Sequence, residues 1–115
     1  MKDILLLKVG RHFRFRNSKI VVGRNQSEND QLRALKSNDD ILLEPVNCKG
    51  PTSILQGGKN REAILLAARL TARYSKCKNG ICIINYKYNK IDETIEVEPL
   101  PPEEAEFYNI NVKLA

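Results

Sequence analysis

The sequence lacks any long hydrophobic run, which limits the classes of protein to which it can belong. No apolar stretch approaches the ~20 residues that a membrane-spanning helix needs, and "ILLL" at residues 4–7 is too short for a secretory signal. We therefore expect no membrane partner and a cytoplasmic location. Hydrophobic residues make up 42% of the 115, which is enough for a core, so we expect one domain over residues 1–115.

Catalytic signatures are also scarce. The chain has a single histidine, His12, and contains neither a P-loop nor the S-G-G-x-D-S signature of PP-loop ATPases. Its neighbouring carboxylates, at residues 39–40 and 103–104, have the pattern of loop charges. Because no nucleophile–base pair has support, we expect that the chain is not an enzyme and that it uses no cofactor.

Only three cysteines are present, an odd number in a chain with no recognisable export signal, so we expect reduced thiols. Cys77 and Cys82, in "CKNGIC", are close enough in sequence to approach each other across a turn, as a redox pair or a persulfide carrier requires. With only His12 to join them, these two cysteines do not make a zinc site, so we predict no metal.

Charge is unevenly distributed along the chain. Residues 1–36 carry nine Lys and Arg against three acids, and residues 37–79 carry seven against four. Residues 80–115 reverse the balance, with three against seven. A clustered basic surface favours a polyanionic partner, chiefly nucleic acid, although such a surface also serves solubility alone.

Sequence periodicity predicts an α+β domain with a mostly antiparallel sheet and two helices. After a strand at residues 4–9, Phe13 and Phe15 share one face of a hairpin that turns at Asn17-Ser18, and we expect both rings in the core. Ser27 is the expected N-cap of a first helix that ends near residue 36. The second helix is predicted at residues 61–77, with a stop at 79–80.

The remaining segments predict strands. They lie at residues 41–46, where Pro45 marks an edge or an end, and at 51–55, 81–88, 93–100 and 107–115. Residues 1–11 form an N-terminal strand in this division, and residues 99–115 form an acidic C-terminal extension.

The stretch "VGRNQSENDQL", residues 22–32, carries the most specific pattern. A glycine ends a strand, and the first turn of the helix behind it offers unpaired N–H groups that can hold a phosphate. Arg24 can add a planar fork, while the amides of Asn25 and Asn29 suit either base edges or bracing of the loop. A turn leading into a capped helix, without any ligand, explains the same spacing.

The motif resembles the RNA-binding domain of the NFACT family, the NFACT-R domain. In that family, V-G-R-N-x-x-x-N-D-x-L is followed by a D-x-W-x-H strand, a Gly-Pro or Gly-Ser turn and a helix reading A-A-x-x-A-x-x-S-K. The corresponding residues here are Val22, Gly23, Arg24, Asn25, Asn29, Asp30, Leu32, Asp40, Gly50, Pro51, Ala67, Ala68, Ala72, Ser75 and Lys76. The resemblance implies an RNA-binding accessory domain with the NFACT-R fold and structured RNA, such as tRNA or rRNA, as partner.

The chain departs from the family at two places. Leu42 and Glu44 stand where the strand has its aromatic residue and its histidine, and the C-terminal region is acidic. Such variants resemble the NFACT-R-like domain attached to PP-loop ATPases related to tRNA thiouridylases, which implies a PP-loop catalytic partner in the same or another chain.

Two functions therefore compete at this stage. The first is RNA binding by the helix mouth, by a basic track on the second helix and by the hairpin. The candidate residues are Gly23, Arg24, Asn25, Asn29, Arg69, Arg73, Lys76, Arg14 and Arg16. The second is docking to a catalytic partner or a ribosome-associated factor through the acidic segment at 92–106.

Overall fold

The computed structural model describes residues 9–77 and 80–109. The strands are β1 (Arg11–Phe15), β2 (Ser18–Val22), β3 (Ile41–Pro45), β4 (Ser53–Gly57), β5 (Cys82–Tyr88) and β6 (Ile91–Val97), and the helices are α1 (Gln26–Leu35), α2 (Arg61–Arg73) and α3 (Pro102–Tyr108). The α+β class is confirmed, but the described residues form three helices where the sequence predicted two. None of these helices has the length and hydropathy to span a membrane.

All six strands pair antiparallel in one sheet, in the order β1-β2-β4-β3-β5-β6. The register places Phe13 opposite Ile20, and Ile20 opposite Leu55. These three side chains are fully buried on one face of the sheet, so the expectation of a buried Phe13 is confirmed. Phe15 is only partly buried at the margin of the same core.

The two long helices cover opposite faces of the sheet. The buried side of α2 is rich in alanine, and these short side chains allow the helix to pack closely on the apolar residues of β1 to β5. On the opposite face, Leu32 of α1 packs on Val21 and Ile54. Because alternate residues of a strand face opposite ways, both clusters draw on the same strands.

The third helix is a correction to the final strand predicted at residues 107–115. The chain leaves β6 at one edge of the sheet and crosses α2, where the Leu100 N–H donates to the Arg69 carbonyl at 3.1 Å. It then forms α3, whose Tyr108 ring packs edge-on against Phe15 with 5.9 Å between the centroids. Residues 110–115, and residues 4–8 of the predicted first strand, lie outside the described part of the chain.

Several predicted boundaries were also wrong. The hairpin turns at Arg16-Asn17, because Ser18 already pairs with Phe15. β4 begins and ends two residues later than predicted, and α2 ends four residues earlier, with Tyr74 as its C-cap. Pro45 ends β3, which is not an edge strand because it pairs with β4 and β5.

The sheet has two distinct ends. At one end β2, β3 and β6 finish, β1, β4 and β5 begin, α1 starts and α2 finishes; we call this the Gly23 end. At the other, the far end, lie the two hairpin turns at residues 16–17 and 89–90 and the start of α2. The stretch at residues 22–32 therefore begins at the Gly23 end.

Candidate nucleic-acid interface

A cleft of about 430 Å³ opens at the Gly23 end. Four cationic side chains contribute to its lining: Arg11, Arg24, Lys49 and Lys76. No carboxylate belongs to that lining as the described residues form it. Low-dielectric walls that carry one sign of charge concentrate the electrostatic potential, so the cleft attracts anions.

Gly23 forms the turn between β2 and α1 because its missing Cβ leaves room for another side chain. A Cβ at this position would collide with the Oδ1 atom of Asn29. That oxygen accepts a hydrogen bond from the Thr52 N–H at 3.0 Å, and Gly23 itself donates to the Thr52 carbonyl at 3.0 Å. The glycine and the buried asparagine of the motif together attach the start of α1 to the segment that enters β4.

Asn25 is the N-cap of α1. Its Oδ1 accepts the Glu28 N–H at 2.9 Å, which pairs one of the four unsatisfied donors of the first helical turn. The predicted N-cap, Ser27, is instead the second residue of the helix and accepts a hydrogen bond from Gln31. Of the two uses considered for the asparagine amides, the Oδ1 atoms of Asn25 and Asn29 serve to brace the loop.

Arg24 is held by a carboxylate that the sequence reading had not connected with it. Its main-chain N–H and its Nε donate to Glu28 Oε1 at 2.9 Å each, and its Nη2 donates to Oε2 at 2.6 Å. These hydrogen bonds lower the pKa of Glu28 to about 2, against the desolvation that raises it. The pair uses two of the five guanidinium N–H donors, and the half-exposed side chain can present the others to a ligand.

Lys49 and Lys76 come together although they are 27 positions apart. The Lys76 N–H donates to the Lys49 carbonyl at 2.8 Å. Beside them, Gly50 packs so closely on Ser75 that a Cβ would meet the serine Oγ. This contact gives a physical reason for the glycine at position 50, which lets the β3–β4 loop pack on the segment that follows α2.

Tyr74 places two arginines at the cleft. The Cζ atom of Arg11 lies 4.2 Å from the centroid of the tyrosine ring, and that of Arg73 lies 5.7 Å from it. Guanidinium groups at these distances are attracted by the π face. The sequence patterns did not single out Tyr74, Arg11 or Lys49 as site residues, because only the tertiary structure brings them to the motif.

Of the nine predicted site residues, the structure places five in the cleft lining: Gly23, Arg24, Asn25, Asn29 and Lys76. Arg73 is adjacent through Tyr74. Arg69 lies farther back on α2, where its Nε donates to the Glu98 carbonyl at 3.1 Å. Arg14 is exposed within β1, and Arg16 pairs with Glu62 at 3.3 Å at the far end.

Glu44, at the position where the resembling motif has a histidine, has partners within the chain. Arg33 of α1 donates to its Oε2, and the Thr52 Oγ1 donates to the same oxygen at 2.8 Å. The carboxylate thus links α1 to β3 and to the segment before β4. It does not belong to the lining of the cationic cleft.

The cysteines form a second feature near this end. Cys77 and Cys82 approach each other as their spacing suggested, and Cys48 joins them, with all three Sγ atoms within 4.8 Å of one another. The Sγ of Cys77 is in bonding contact with the other two, where the sequence had predicted reduced thiols. The prediction of no metal site had counted only two thiols and His12. His12 lies elsewhere, with its Nε2 2.9 Å from the Val9 carbonyl.

A cationic cleft at the end of a small sheet is typical of a module that binds a polyanion. The family model of the NFACT protein RNA-binding domain matches residues 10–109. The chain therefore belongs to the family of NFACT protein RNA-binding domains.

Solved structures support the same fold. The chain is similar to the C-terminal part of the fibronectin/fibrinogen-binding protein from Streptococcus suis, with a TM-score of 0.75 and 16% sequence identity. The match covers 88% of this chain and 50% of that one, so this chain spans about half the length of its structural relative. At this identity the likeness shows the fold alone. No curated protein matches the chain.

Proposed function

We propose that the chain binds structured RNA, such as tRNA, with the phosphate backbone lying in the cleft at the Gly23 end. The observation that carries the proposal is the convergence of four cationic side chains and the start of α1 on one cleft, in a member of an RNA-binding domain family. Cationic side chains and helix N-termini are among the groups that contact nucleic-acid backbones.

The lining residues have different parts in this proposal. Lys49 and Lys76 act as point charges on phosphates, while Arg24 offers a planar fork whose orientation Glu28 fixes. Arg73 and Arg69 extend the positive surface along α2. Arg14 and Arg16 lie outside the cleft and contact only an RNA that extends beyond it.

Binding of labelled tRNA, followed by fluorescence anisotropy, tests the proposal. Lys49→Ala combined with Lys76→Ala removes two exposed cleft cations that have no structural ion pair among the described residues. We expect the dissociation constant to rise about tenfold or more, because each phosphate contact contributes to binding electrostatically.

The matched control is Lys87→Ala combined with Lys90→Ala. Both lysines are exposed, and they lie near the β5–β6 turn at the far end. The control loses the same net charge as the cleft variant. Because its two lysines lie away from the cleft, we expect its dissociation constant to change less than about threefold. Equal weakening by both double variants would show that the cleft has no special part in binding.

We further propose that the bound RNA is presented to a PP-loop ATPase related to tRNA thiouridylases, in the cytoplasm. The support is the sequence resemblance to variants with an acidic C-terminal region. Adding the chain to such an enzyme should increase tRNA thiolation, and the Lys49→Ala/Lys76→Ala variant should not. Equal thiolation with and without the chain would contradict this part of the proposal.

A docking function is the second candidate, and one observation favours it. A groove of about 290 Å³ lies between α2 and α3, and its lining is mostly apolar, with two acids and one arginine: Phe15, Glu62, Leu65, Leu66, Arg69, Leu100, Glu104 and Tyr108. Phe107 is 70% exposed on the neighbouring surface of α3. Binding of a PP-loop catalytic domain that Phe107→Ser and Leu65→Ser abolish, without any tRNA binding, would favour docking over RNA recognition.

A further inference from the structure

We propose that Cys48, Cys77 and Cys82 form a binding site for one thiophilic metal ion, with Zn²⁺ as the expected occupant. The site is separate from the RNA-binding function proposed above, because it concerns different side chains and a different ligand. Its basis is the arrangement of three sulfurs that the fold draws from three segments.

The three cysteines come from three segments of the chain. Cys48 lies in the loop between β3 and β4, Cys77 follows α2, and Cys82 is the first residue of β5. Cys82 is fully buried, whereas the other two are half-buried, so the group is accessible from one side. The packing of α2 against the sheet brings Cys77, at the end of the helix, to Cys48 in the β3–β4 loop.

A disulfide does not account for all three sulfurs. The Sγ of Cys77 is in bonding contact with the Sγ atoms of both Cys48 and Cys82. One sulfur forms only one disulfide at a time, so any disulfide within the group leaves the third cysteine over. A single metal ion uses the three together.

The three sulfurs lie close enough together for one ion to reach them all. With zinc–sulfur bonds of about 2.3 Å, tetrahedral coordination separates two sulfurs by roughly 3.8 Å. The Sγ atoms here all lie within 4.8 Å of one another, and that of Cys77 is in bonding contact with the other two, so side-chain rotations that move the sulfurs apart would bring them to that separation. Thiolate ligands select soft or borderline ions such as Zn²⁺ over Mg²⁺ and Ca²⁺.

Polar and cationic residues lie next to the cysteines in the chain. Asn47 Oδ1 lies 4.0 Å from Cys77 Sγ and accepts the Ile83 N–H at 3.1 Å, which fixes the loop beside the site. Lys49 and Lys76 directly adjoin two of the ligands in sequence. With three protein ligands, the fourth position of a tetrahedral ion is left to water.

Occupancy would join the β3–β4 loop to the end of α2. Lys49 and Lys76 belong to these two segments and are already linked by a main-chain hydrogen bond. The ion would therefore hold the two cleft lysines at a constant separation. Binding releases one proton from each protonated thiol to the solvent and involves no change of oxidation state.

Titration of the reduced, metal-free protein with Co²⁺ under anaerobic conditions tests the site, since Co²⁺ reports thiolate coordination by its charge-transfer absorption. We expect saturation at one Co²⁺ per chain, displacement by one equivalent of Zn²⁺, and a rise in Tm on metal addition that a chelator reverses. Cys48→Ser and Cys77→Ser should each remove about a third of the absorption and weaken binding more than about tenfold, as even outer-shell losses do.

Controls separate loss of the ligand from loss of the fold. Circular dichroism of each variant establishes whether it is folded, and Cys82→Ala is interpreted only with that measurement because the residue is buried. Lys87→Ala, at the far end, should bind Co²⁺ as the unaltered chain does.

The proposal is overturned if the reduced chain takes up no Co²⁺ or Zn²⁺, or if Cys48→Ser binds them unchanged. A disulfide that forms in preference to metal binding also overturns it. RNA is absent from the assay, so its outcome is independent of the proposed RNA binding.

Discussion

At Gly23, a missing Cβ leaves the space into which the Asn29 carboxamide fits. The two residues are six positions apart in the motif, and the reason for each becomes visible only from its contact with the other. Asn25 and Asn29 use their Oδ1 atoms inside the fold, whereas Arg24 keeps part of its guanidinium available. At the scale of single residues, much of the motif therefore builds the loop that presents the arginine.

The contact between Gly23 and Asn29 predicts a non-additive pair of substitutions. Gly23→Ala should lower the free energy of unfolding by about 1–3 kcal/mol, because it displaces Asn29 and leaves the buried Thr52 N–H without its acceptor. Asn29→Ala should have a similar effect. The double variant should be destabilised by clearly less than the sum of the two single effects. Asn29→Ala removes the side chain with which the new Cβ collides, and the hydrogen bond to Thr52 can be lost only once. Denaturant unfolding of the four proteins measures the cycle, and strict additivity would refute the contact.

The pair of Arg24 and Glu28 predicts a pH dependence. The pKa of Glu28 falls from 4.5 to about 2 in the folded chain, so its contribution to stability is complete above pH 4.5 and is lost as the pH falls toward 2. Glu28→Gln removes this contribution. The difference in unfolding free energy between the two proteins should therefore shrink over that interval.

Glu62→Gln is the matched control for this experiment. Its partner Arg16 and its own side chain are each 66% exposed, so we expect less than about 1 kcal/mol of destabilisation. A difference between the unaltered chain and Glu28→Gln that stays constant from pH 5 to pH 2 would contradict the assigned pairing.

At the scale of elements, the sequence contained most of the signals, but some competed. Ser27 with Asp30 and Asn25 with Glu28 have the same three-residue spacing, so either could have been the cap. Tertiary contacts decided in favour of Asn25. Asn29 packs on Gly23, and the Arg24 N–H donates to Glu28, so the backbone just before Asn25 is fixed. For α3, a proline at the start and two glutamates in the first turn were available signals that the alternation after them obscured.

The capping assignment can be tested by comparing two alanine substitutions. Asn25→Ala should destabilise the chain by about 1 kcal/mol, because the Glu28 N–H loses its acceptor. Ser27→Ala should have a smaller effect, since this side chain only accepts an exposed hydrogen bond from Gln31. Equal effects in thermal unfolding would indicate that the helix begins elsewhere.

At the scale of the whole molecule, the cleft depends on residues that no local pattern could join. Arg11 begins β1, Lys49 lies in a loop, and Tyr74 follows α2, so their proximity requires the strand order β1-β2-β4-β3 and the placement of α2. The sequence predicted the antiparallel α+β class because alternation and helical spacing are local. It could not predict the strand order, and it therefore identified only part of the cleft.

The same scale sets the salt dependence of the proposed tRNA binding. With about five phosphate contacts at −0.7 each, the logarithm of the association constant should fall with the logarithm of salt concentration at a slope of roughly −3 to −4. In Lys49→Ala/Lys76→Ala the slope should become shallower by roughly 1 to 1.5. A slope near zero in the unaltered chain would contradict electrostatic backbone binding.

The separation of the two ends of the sheet has a practical outcome. β5 alone has seven residues, so the turn at Asn89-Lys90 lies roughly 20 Å from the start of that strand. A fluorophore or an inserted peptide at this turn would lie at the far end, away from the arginines and lysines of the cleft. The architecture thus offers a handle for surface attachment or distance measurements that leaves the recognising surface untouched.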